Sequence, residues 1–441
     1  MDENKRGSFG STIGFLLSAI GSAVGLGNIW GFPYKTSQNG GAAFVLIYIA
    51  CVLLIGFVTM LSEIYLGRRS QANPMTAYKM VNKNLGWCGL VAIMIPAFII
   101  CYYSVLGGWT TKYALNSFSG NAGSVNTGEV ILYTALFLVL SVTIIMGGVK
   151  DGIEKASKVL MPVLFLILVA IAIYALTLGS GVREGLAFYL KPDFSGITFK
   201  SVLVAMGQAF YSLSLGMGIM ITYGSYVKPD VNLNRAVNQI EFFDTGVALL
   251  AGAMIIPAVY VFSGVEGMGA GPSLMFVSLP KVFNAMGAAG VVVGVLFFVA
   301  AIFATLTSCI SVLESIVANC MEILHTNRKK TVLVLSGVYL AASAVIALGY
   351  SIFYFEVQLP NGSTGQLLDI MDYVSNSVMM PLIALLSTIL IGWVVGPDYV
   401  VEEMEKGGAR FTRKKIYRVM IRYVAPVMML VLFLQSTGIL S

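Results

Sequence analysis

The sequence contains little charge. Charged residues make up 11% of the 441 residues and hydrophobic residues make up 57%, whereas a soluble domain carries about 25% charged residues. This composition excludes an ordinary soluble domain and indicates a membrane protein with several spans. The net charge of +6 is explained by membrane topology, as described below, and implies no nucleic-acid partner.

Histidine and cysteine are also scarce. The only histidine, His325, lies among charged residues beside Arg328, which favours a solvated loop over catalysis or metal binding. The five cysteines show no spacing typical of a metal site or a disulfide framework; they are Cys51, Cys88, Cys101, Cys309 and Cys320. Since the sequence also offers no nucleophile constellation, we expect neither an enzyme nor an organic cofactor.

Long apolar segments dominate the chain instead. Eleven of them are near the ~20 residues needed to cross a bilayer, which predicts an all-α polytopic membrane protein with eleven transmembrane helices. The eighth is predicted as one tilted helix with a helical extension, and no cleavable signal peptide is expected. The segments cover about residues 11–33, 41–66, 88–116, 128–147, 156–178, 198–226, 240–263, 281–323, 331–350, 368–396 and 418–438.

Lysine and arginine are distributed asymmetrically over the loops. If the amino terminus is cytoplasmic, 21 of the 27 lie on the cytoplasmic side and six lie outside. Because such residues concentrate in cytoplasmic loops, we expect a multi-pass protein of a bacterial-type plasma (inner) membrane, with its carboxyl terminus outside. The six on the outer side are Lys35, Lys112, Arg183, Lys191, Lys200 and Lys281.

Glycines interrupt the first apolar segment. Gly21, Gly25 and Gly27 stand within seven residues between two apolar flanks, and each costs about 1 kcal/mol in a helix relative to alanine. Non-helical backbone is tolerated at membrane depth only where it faces protein or a polar cavity. Its carbonyl groups can bind a cation, and the amino terminus of the following half-helix can bind a carboxylate. The segment therefore predicts a transporter binding site.

A second interruption, the sequence SLSLGMG at 212–218, lies in the sixth segment. Segments 1 and 6 each open a group of five, and because five is odd the second group is inserted upside down. Such paired interruptions indicate a midplane substrate site in an inverted-repeat transporter; the alternative is that the glycines only permit close helix packing. We expect a first repeat at 1–180 (spans 1–5), a second at 181–400 (spans 6–10), and a cytoplasmic loop plus span 11 at 401–441.

Several motifs follow one another in a familiar order. They are GSAVGLGNIWGFPY (21–34), NGGAAF (39–44), GQAFYSLSLGMG (207–218), TYGSYV (222–227), GAGPSLMFVSLP (269–280) and LTSCISVLES (306–315). From residue 6 to about 430 the chain resembles the neurotransmitter:sodium symporter family, including its bacterial leucine, tyrosine and tryptophan transporters. The resemblance implies a leucine-transporter-like 5+5 inverted repeat with helices 1 and 6 unwound mid-membrane, and a sodium-coupled amino acid symporter that works by alternating access.

The resemblance implies two bound sodium ions, both held by hard oxygen donors. The first would bind the carbonyl of Ala23 and the side chains of Asn28, Ser212 and Asp244. The second would bind the carbonyls of Gly21, Val24 and Ala304 and the hydroxyls of Thr307 and Ser308. Taken alone, a Thr-Ser pair in a membrane helix is usually bonded to its own preceding turn.

Asp244 also bears on chloride. An isolated carboxylate in the membrane interior is costly, and this cost is removed if it neutralises a bound cation. Tyr48, Gln208 and Ser212 match the chloride shell of some animal relatives, but Asp244 already supplies the negative charge, so we expect chloride-independent transport. The alternative is that Asp244 is protonated or hydrogen-bonded as part of the packing.

By the same resemblance, the substrate is an α-amino acid. The N–H groups of Leu26 and Gly27 and the hydroxyl of Tyr103 would bind its carboxylate, and carbonyls of segments 1 and 6 its ammonium group. The mostly apolar side-chain pocket, in which Met217 adapts its shape easily, favours a neutral, hydrophobic or aromatic substrate. The full predicted substrate set is Ser22, Ala23, Leu26, Gly27, Ile99, Tyr103, Tyr211, Ser212, Ser214, Met217, Ser308 and Val312.

Gates are implied on both sides. Arg6, Ser225, Tyr226 and Glu322 match the cytoplasmic gate, and Gly152-x9-Pro162 resembles the element that can unwind to let water reach the second ion. The outer gate departs from the family pattern, Trp-Arg-Phe-Pro. Gly31 stands where the arginine is expected, while the acidic partner remains as Asp372, which is satisfied by water and another group or has acquired a different role.

Other functions stay open at this point. A proton-coupled or exchange-type amino acid transporter on the same fold would use Asp244 or Glu63 as a titrating group, and an amine transporter is a further alternative. A channel would need a polar stripe through several helices, and a ligand-sensing receptor would ordinarily carry an additional cytoplasmic domain. The expected partners are a small-molecule amino acid and the lipid bilayer, with the chain a monomer or a homodimer.

Overall fold

The structure is a computed structural model that describes residues 7–118, 126–179, 181–264, 267, 273–406 and 410–440. Arg6 and the start of the motif at 269–280 lie outside the described residues. The helices are α1 (Thr12–Ala23), α2 (Gly27–Gln38), α3 (Ala42–Ser70), α4 (Pro74–Val81), α5 (Lys83–Phe118), α6 (Thr127–Met146), α7 (Val149–Ala175), α8 (Val182–Leu190), α9 (Phe199–Ser212), α10 (Ile219–Gly224), α11 (Leu233–Ser263), α12 (Leu274–Ala285), α13 (Ala288–Leu324), α14 (Arg328–Leu348), α15 (Leu367–Val395), α16 (Pro397–Glu405) and α17 (Lys414–Ser436).

The described part of the chain holds nine helices long and apolar enough to cross a membrane. A tenth span is the pair α1 and α2, which are bent by 53° at their break. The predicted sixth segment is two short helices, α9 and α10, each too short to cross a bilayer of about 30 Å at 1.5 Å per residue. Counting them as one interrupted span gives eleven, a count that stays a prediction together with the inverted repeat.

Both expected interruptions are present in the backbone. The first span begins where the Ser11 side chain accepts the N–H of Gly14, which satisfies one of the free donors at a helix start, and its first helix ends at Ala23. Between α9 and α10 the chain turns through three residues with left-handed backbone, Ser214 (φ 53°), Gly216 (φ 73°) and Gly218 (φ 69°). Glycine takes this conformation without a side-chain penalty, which is why the glycines fall here.

Two expectations about the fold need correction. Segment 281–323 is not one continuous helix, because α12 ends at Ala285 and α13 begins at Ala288 after Gly287, whose φ is 65°. The loop before α15 also contains two-residue antiparallel strands, β1 (Val357–Gln358) and β2 (Thr364–Gly365), with Val357 opposite Gly365. All other regular elements in the described residues are helices.

Backbone contact between α3 and α10 positions the second interruption. A β-carbon on Gly67 would lie 1.9 Å from the Ile221 carbonyl oxygen, and one on Gly224 would lie 2.4 Å from the Ile64 carbonyl oxygen. Small residues allow two membrane helices to approach this closely. Nearby, a carboxylate oxygen of Glu63 in α3 accepts the N–H of Gly216 at 2.7 Å. The helix α3 therefore positions the interrupted span formed by α9 and α10, through close packing and this hydrogen bond.

We predict that Gly67→Ala destabilises the protein by about 1–3 kcal/mol, the usual cost of overpacking. The added methyl group would overlap backbone atoms of α10, which cannot turn away as a side chain can. Thermal unfolding in detergent measures the effect. Gly246→Ala in α11 is the matched control, because no described atom lies within 4 Å of a β-carbon there; equal melting temperatures for the two variants would contradict the prediction.

Candidate functional site

The two interruptions face a common cavity of about 30 Å³ in the centre of the helix bundle. Its lining contains every predicted substrate residue except Leu26, together with Gly25 and Asn28; the residues are Ser22, Ala23, Gly25, Gly27, Asn28, Ile99, Tyr103, Tyr211, Ser212, Ser214, Met217, Ser308 and Val312. A single water needs about 10–15 Å³ measured this way. The site is therefore nearly closed in this conformation, and an amino acid fits only after side chains move.

Leu26 lies at the polar end of this cavity. Its N–H donates to the Tyr103 hydroxyl at 3.2 Å, so the donor and the hydroxyl predicted to bind a carboxylate are side by side. A β-carbon on Gly25 would lie 2.8 Å from the Tyr103 hydroxyl and 2.9 Å from Ser308 Oγ. Glycine at 25 thus allows the α1–α2 break to approach both hydroxyl groups.

The three side chains predicted for the first ion, those of Asn28, Ser212 and Asp244, are bonded to one another, and Ala23, whose carbonyl completes the predicted set, lines the common cavity. Asn28 Nδ2 donates to one carboxylate oxygen of Asp244 at 2.8 Å, and Ser212 Oγ donates to the other at 2.8 Å. All three side chains are fully or almost fully buried. Asn28 Oδ1 accepts the N–H of Gly25 at 3.0 Å, and the Tyr48 hydroxyl donates to Ser212 at 3.3 Å. The carboxylate and hydroxyl oxygens of this buried cluster are hard ligands of the kind that bind a hard cation, and a cation there would offset the cost of the buried charge.

The residues predicted for the second ion also meet, across α1 and α13. Ser308 Oγ lies 3.1 Å from the carbonyl oxygen of Val24, 3.3 Å from that of Gly21 and 3.4 Å from that of Ser22. The hydroxyl of Thr307 bonds to its own helix instead, at 3.1 Å from the Ala304 carbonyl. The Thr-Ser pair therefore divides: Thr307 is bonded to its preceding turn, whereas Ser308 contacts the carbonyl groups freed by the break.

On the predicted cytoplasmic side, Tyr226 belongs to a network that the sequence analysis missed. Its hydroxyl donates to Glu314 at 2.8 Å, and Arg328 at the start of α14 contacts both carboxylate oxygens of Glu314. Glu314 is fully buried. A lone carboxylate within an apolar helix requires a partner, and this signal in LTSCISVLES could have identified Glu314.

The other predicted gate residues lie nearby. Glu322 accepts the N–H of Asn73 at 3.3 Å, and Ser225 Oγ donates to the Thr222 carbonyl at 2.5 Å. Arg6 lies outside the described residues, so the predicted contacts of its side chain stay a prediction.

Glu154, in the π-helical turn that opens α7, is a second carboxylate missed from the sequence. Its oxygens accept the N–H of Gly10 at 2.6 Å, the hydroxyl of Ser11 at 2.8 Å and the ammonium of Lys158 at 2.6 Å. The same turn contains Gly152, the first residue of the Gly152-x9-Pro162 element. The beginning of α1 is thereby bonded to the element predicted to unwind.

On the predicted outer side, Asp372 has two neutral donors. One of its oxygens, Oδ1, accepts the Tyr102 hydroxyl at 2.9 Å and Asn376 Nδ2 at 2.6 Å. Lys35, placed by the sequence analysis only among the outer charges, donates to Gln208 Oε1 at 2.8 Å and interacts electrostatically with Asp372. The group left open in the sequence is thus a tyrosine and an amide, with a lysine charge close by.

Two interrupted spans that share one polar cavity inside a bundle of apolar spans define a secondary membrane transporter. A sequence model of the sodium:neurotransmitter symporter family matches residues 6–124 and 121–440. The chain belongs to this family, which confirms the predicted resemblance; the family is one of transporters rather than enzymes.

Sequence similarity to relatives extends over nearly the whole chain. An uncharacterized sodium-dependent transporter of Bacillus subtilis, YhdH, is 34% identical with 100% of both chains covered, and one of Haemophilus influenzae is 34% identical with 99% of both covered. Among solved structures, MhsT in complex with L-phenylalanine matches with a TM-score of 0.87 and 35% identity, covering 98% of this chain and 100% of that one. The protein is therefore a sodium-dependent transporter with several membrane spans.

We predict that Arg328→Gln destabilises the protein by about 3–5 kcal/mol, since it leaves Glu314 buried without its cation. The measurement is unfolding in detergent by heat or denaturant. A double variant with Glu314→Gln should recover much of the loss, because no uncompensated charge remains. Arg418→Gln is the control: its ion pair with Asp398 is exposed, with side-chain exposures of 43% and 58%, and such pairs contribute at most about 1 kcal/mol. Equal losses at 328 and 418 would refute the prediction.

Proposed function

We propose that the protein imports a neutral, hydrophobic or aromatic amino acid together with sodium, independently of chloride, across a bacterial-type plasma membrane. The observation that carries the proposal is the common cavity between the two interruptions. Its lining includes Asn28 and Ser212, which form a cluster with Asp244, and also Tyr103, whose hydroxyl accepts the N–H of Leu26. Ion and substrate would then share one stretch of unwound backbone, so binding of one favours binding of the other.

The lining supports a zwitterionic substrate. Among the described residues, those lining the cavity include no acidic or basic side chain. A substrate carrying only a positive charge would lack a partner there, which disfavours the amine alternative. An α-amino acid brings its own carboxylate to the Leu26–Tyr103 end and leaves its ammonium group to backbone carbonyls. The structure similar in fold contains L-phenylalanine, which agrees with a hydrophobic or aromatic side chain.

Ile99, Met217 and Val312 form the apolar part of the lining. Because the cavity is only about 30 Å³, a phenylalanine-sized side chain requires displacement of these groups, and the unbranched Met217 is the one that changes shape most easily. In this proposal the second ion lies at Gly21, Val24, Ala304, Thr307 and Ser308, where Thr307 turns its hydroxyl away from its own helix to reach the ion.

The proposal predicts that purified protein in liposomes accumulates radiolabelled L-phenylalanine or another apolar amino acid only under an inward sodium gradient. Replacing external sodium by potassium at fixed pH should abolish uptake, since potassium is too large for a site built around sodium. Competition by the twenty amino acids ranks the substrates. Uptake that persists in potassium and follows an imposed pH gradient would instead support the proton-coupled alternative with Asp244 or Glu63.

A further prediction concerns Asp244. Replacing chloride by gluconate should leave wild-type uptake unchanged, because the carboxylate already balances the cation. Asp244→Asn removes one unit charge beside the ion, worth about 1.4 kcal/mol or more, which raises the sodium concentration for half-maximal uptake by about tenfold. The variant should also become chloride-stimulated, with Tyr48, Gln208 and Ser212 as the shell. Loss of wild-type uptake in gluconate, or a variant indifferent to both ions, would contradict this role.

A further inference from the structure

We propose that Lys35 is the cation of the outer gate in this protein and performs, from one helical turn further along α2, the role that the family assigns to an arginine at the position of Gly31. This rests on the proposed function, since a gate has meaning only in a transporter. It goes beyond the residues assigned so far, because neither the family pattern nor the predicted gates include Lys35.

Lys35 and Gly31 lie on one face of α2. Lys35 follows Gly31 by four residues in α2, so the two positions lie on the same face, about 6 Å apart along the axis. The lysine side chain has four methylene groups and can bridge that offset with its ammonium group. Lys35 is half-buried rather than extended into solvent, which is unusual for a lysine without a specific partner.

Positions 31 and 35 both reach the side-chain oxygen of Gln208. The nearest described atom to a β-carbon on Gly31 would be Gln208 Oε1, at 3.4 Å. Lys35 Nζ donates to this same oxygen at 2.8 Å. The lysine ammonium therefore contacts the same oxygen that a side chain at position 31 would reach first.

The carboxylate of Asp372 supplies the opposite charge. Within the described part of the chain, Asp372 Oδ1 accepts hydrogen bonds from two neutral donors, Tyr102 and Asn376. Asp369 adds a second negative charge nearby. Lys35 is the cation that acts on Asp372 electrostatically. A half-buried carboxylate across a closing vestibule attracts this ammonium group more strongly as water leaves.

Gln208 connects this gate to the ion site. Its Nε2 donates to the carbonyl oxygen of Gly27 at 2.8 Å. Asn28, which follows Gly27 in the sequence, contacts Asp244. Lys35 is accordingly a positioning residue: it acts through Gln208 on the break between α1 and α2 and through Asp372 on α15, and it does not touch the substrate.

The test compares four variants in liposomes: Lys35→Gln, Lys35→Arg, Gly31→Arg/Lys35→Gln, and Lys281→Gln as a control that removes an exposed lysine charge on the predicted outer side. Each is assayed for sodium-driven uptake of L-phenylalanine, for thermal stability, and for the rate at which bound L-phenylalanine is lost to the outside. We expect Lys35→Gln to lower uptake about tenfold, equivalent to about 1.4 kcal/mol, with faster outward loss and an unchanged melting temperature. Lys35→Arg and Lys281→Gln should remain within about twofold of wild type.

The double variant decides the matter. Gly31→Arg/Lys35→Gln returns the cation to the family position and should restore uptake and slow outward loss, which a merely structural lysine would not explain. A fifth variant, Lys35→Gln/Asp372→Asn, should transport about as slowly as Lys35→Gln alone, because the two residues belong to one interaction. Full uptake by Lys35→Gln, or a folded double variant that stays as slow as the single one, overturns the proposal. Failure of the wild type to transport with sodium would instead overturn the proposed function.

Discussion

The structure depends on one constraint: peptide groups released from a helix in the membrane interior need polar partners. At the α1–α2 break and the α9–α10 break, the released peptide groups are hydrogen-bonded by side chains of the other break and of neighbouring spans. Ser214 donates to the Ser22 carbonyl at 2.9 Å, Ser308 reaches the carbonyls around Val24, and Glu63 accepts from Gly216. Because ions and an amino acid offer the same kinds of contact, the groups that stabilise the breaks are also those that can bind them.

The helical architecture and the two breaks were predictable because they follow from composition and local backbone preference. Apolar segments of about 20 residues have the length of membrane-spanning helices, in which every backbone group is satisfied within the segment, and glycines mark where the backbone can turn. The boundary between α12 and α13 was missed because Gly287 stands between two equally apolar flanks, so hydropathy alone could not detect it. A helix break is set by the local backbone, so an uninterrupted apolar pattern does not show that the helix is continuous.

The candidate site was predictable as far as motif positions could be carried over residue by residue. Glu314 and Arg328 escaped this procedure because they pair across two spans, and no spacing along the chain relates them. Lys35 was missed for a different reason. The arginine of the family pattern is replaced by Gly31, and the lysine proposed to take its role stands four residues later in the sequence. Only the three-dimensional positions of Gln208 and Asp372 reveal that relation.

The contacts of Glu154 have a mechanical consequence. This carboxylate holds Gly10 and Ser11 at the foot of α1 from a π-helical turn, and the missing side chain of Gly14 leaves it room, since a β-carbon there would lie 2.1 Å from the carboxyl group. The amino-terminal end of α1 cannot move outward unless these hydrogen bonds break or the π-helical turn moves with it. Because Gly152 lies in the same turn, a displacement of α1 would be transmitted through Glu154 directly to the residues predicted to unwind.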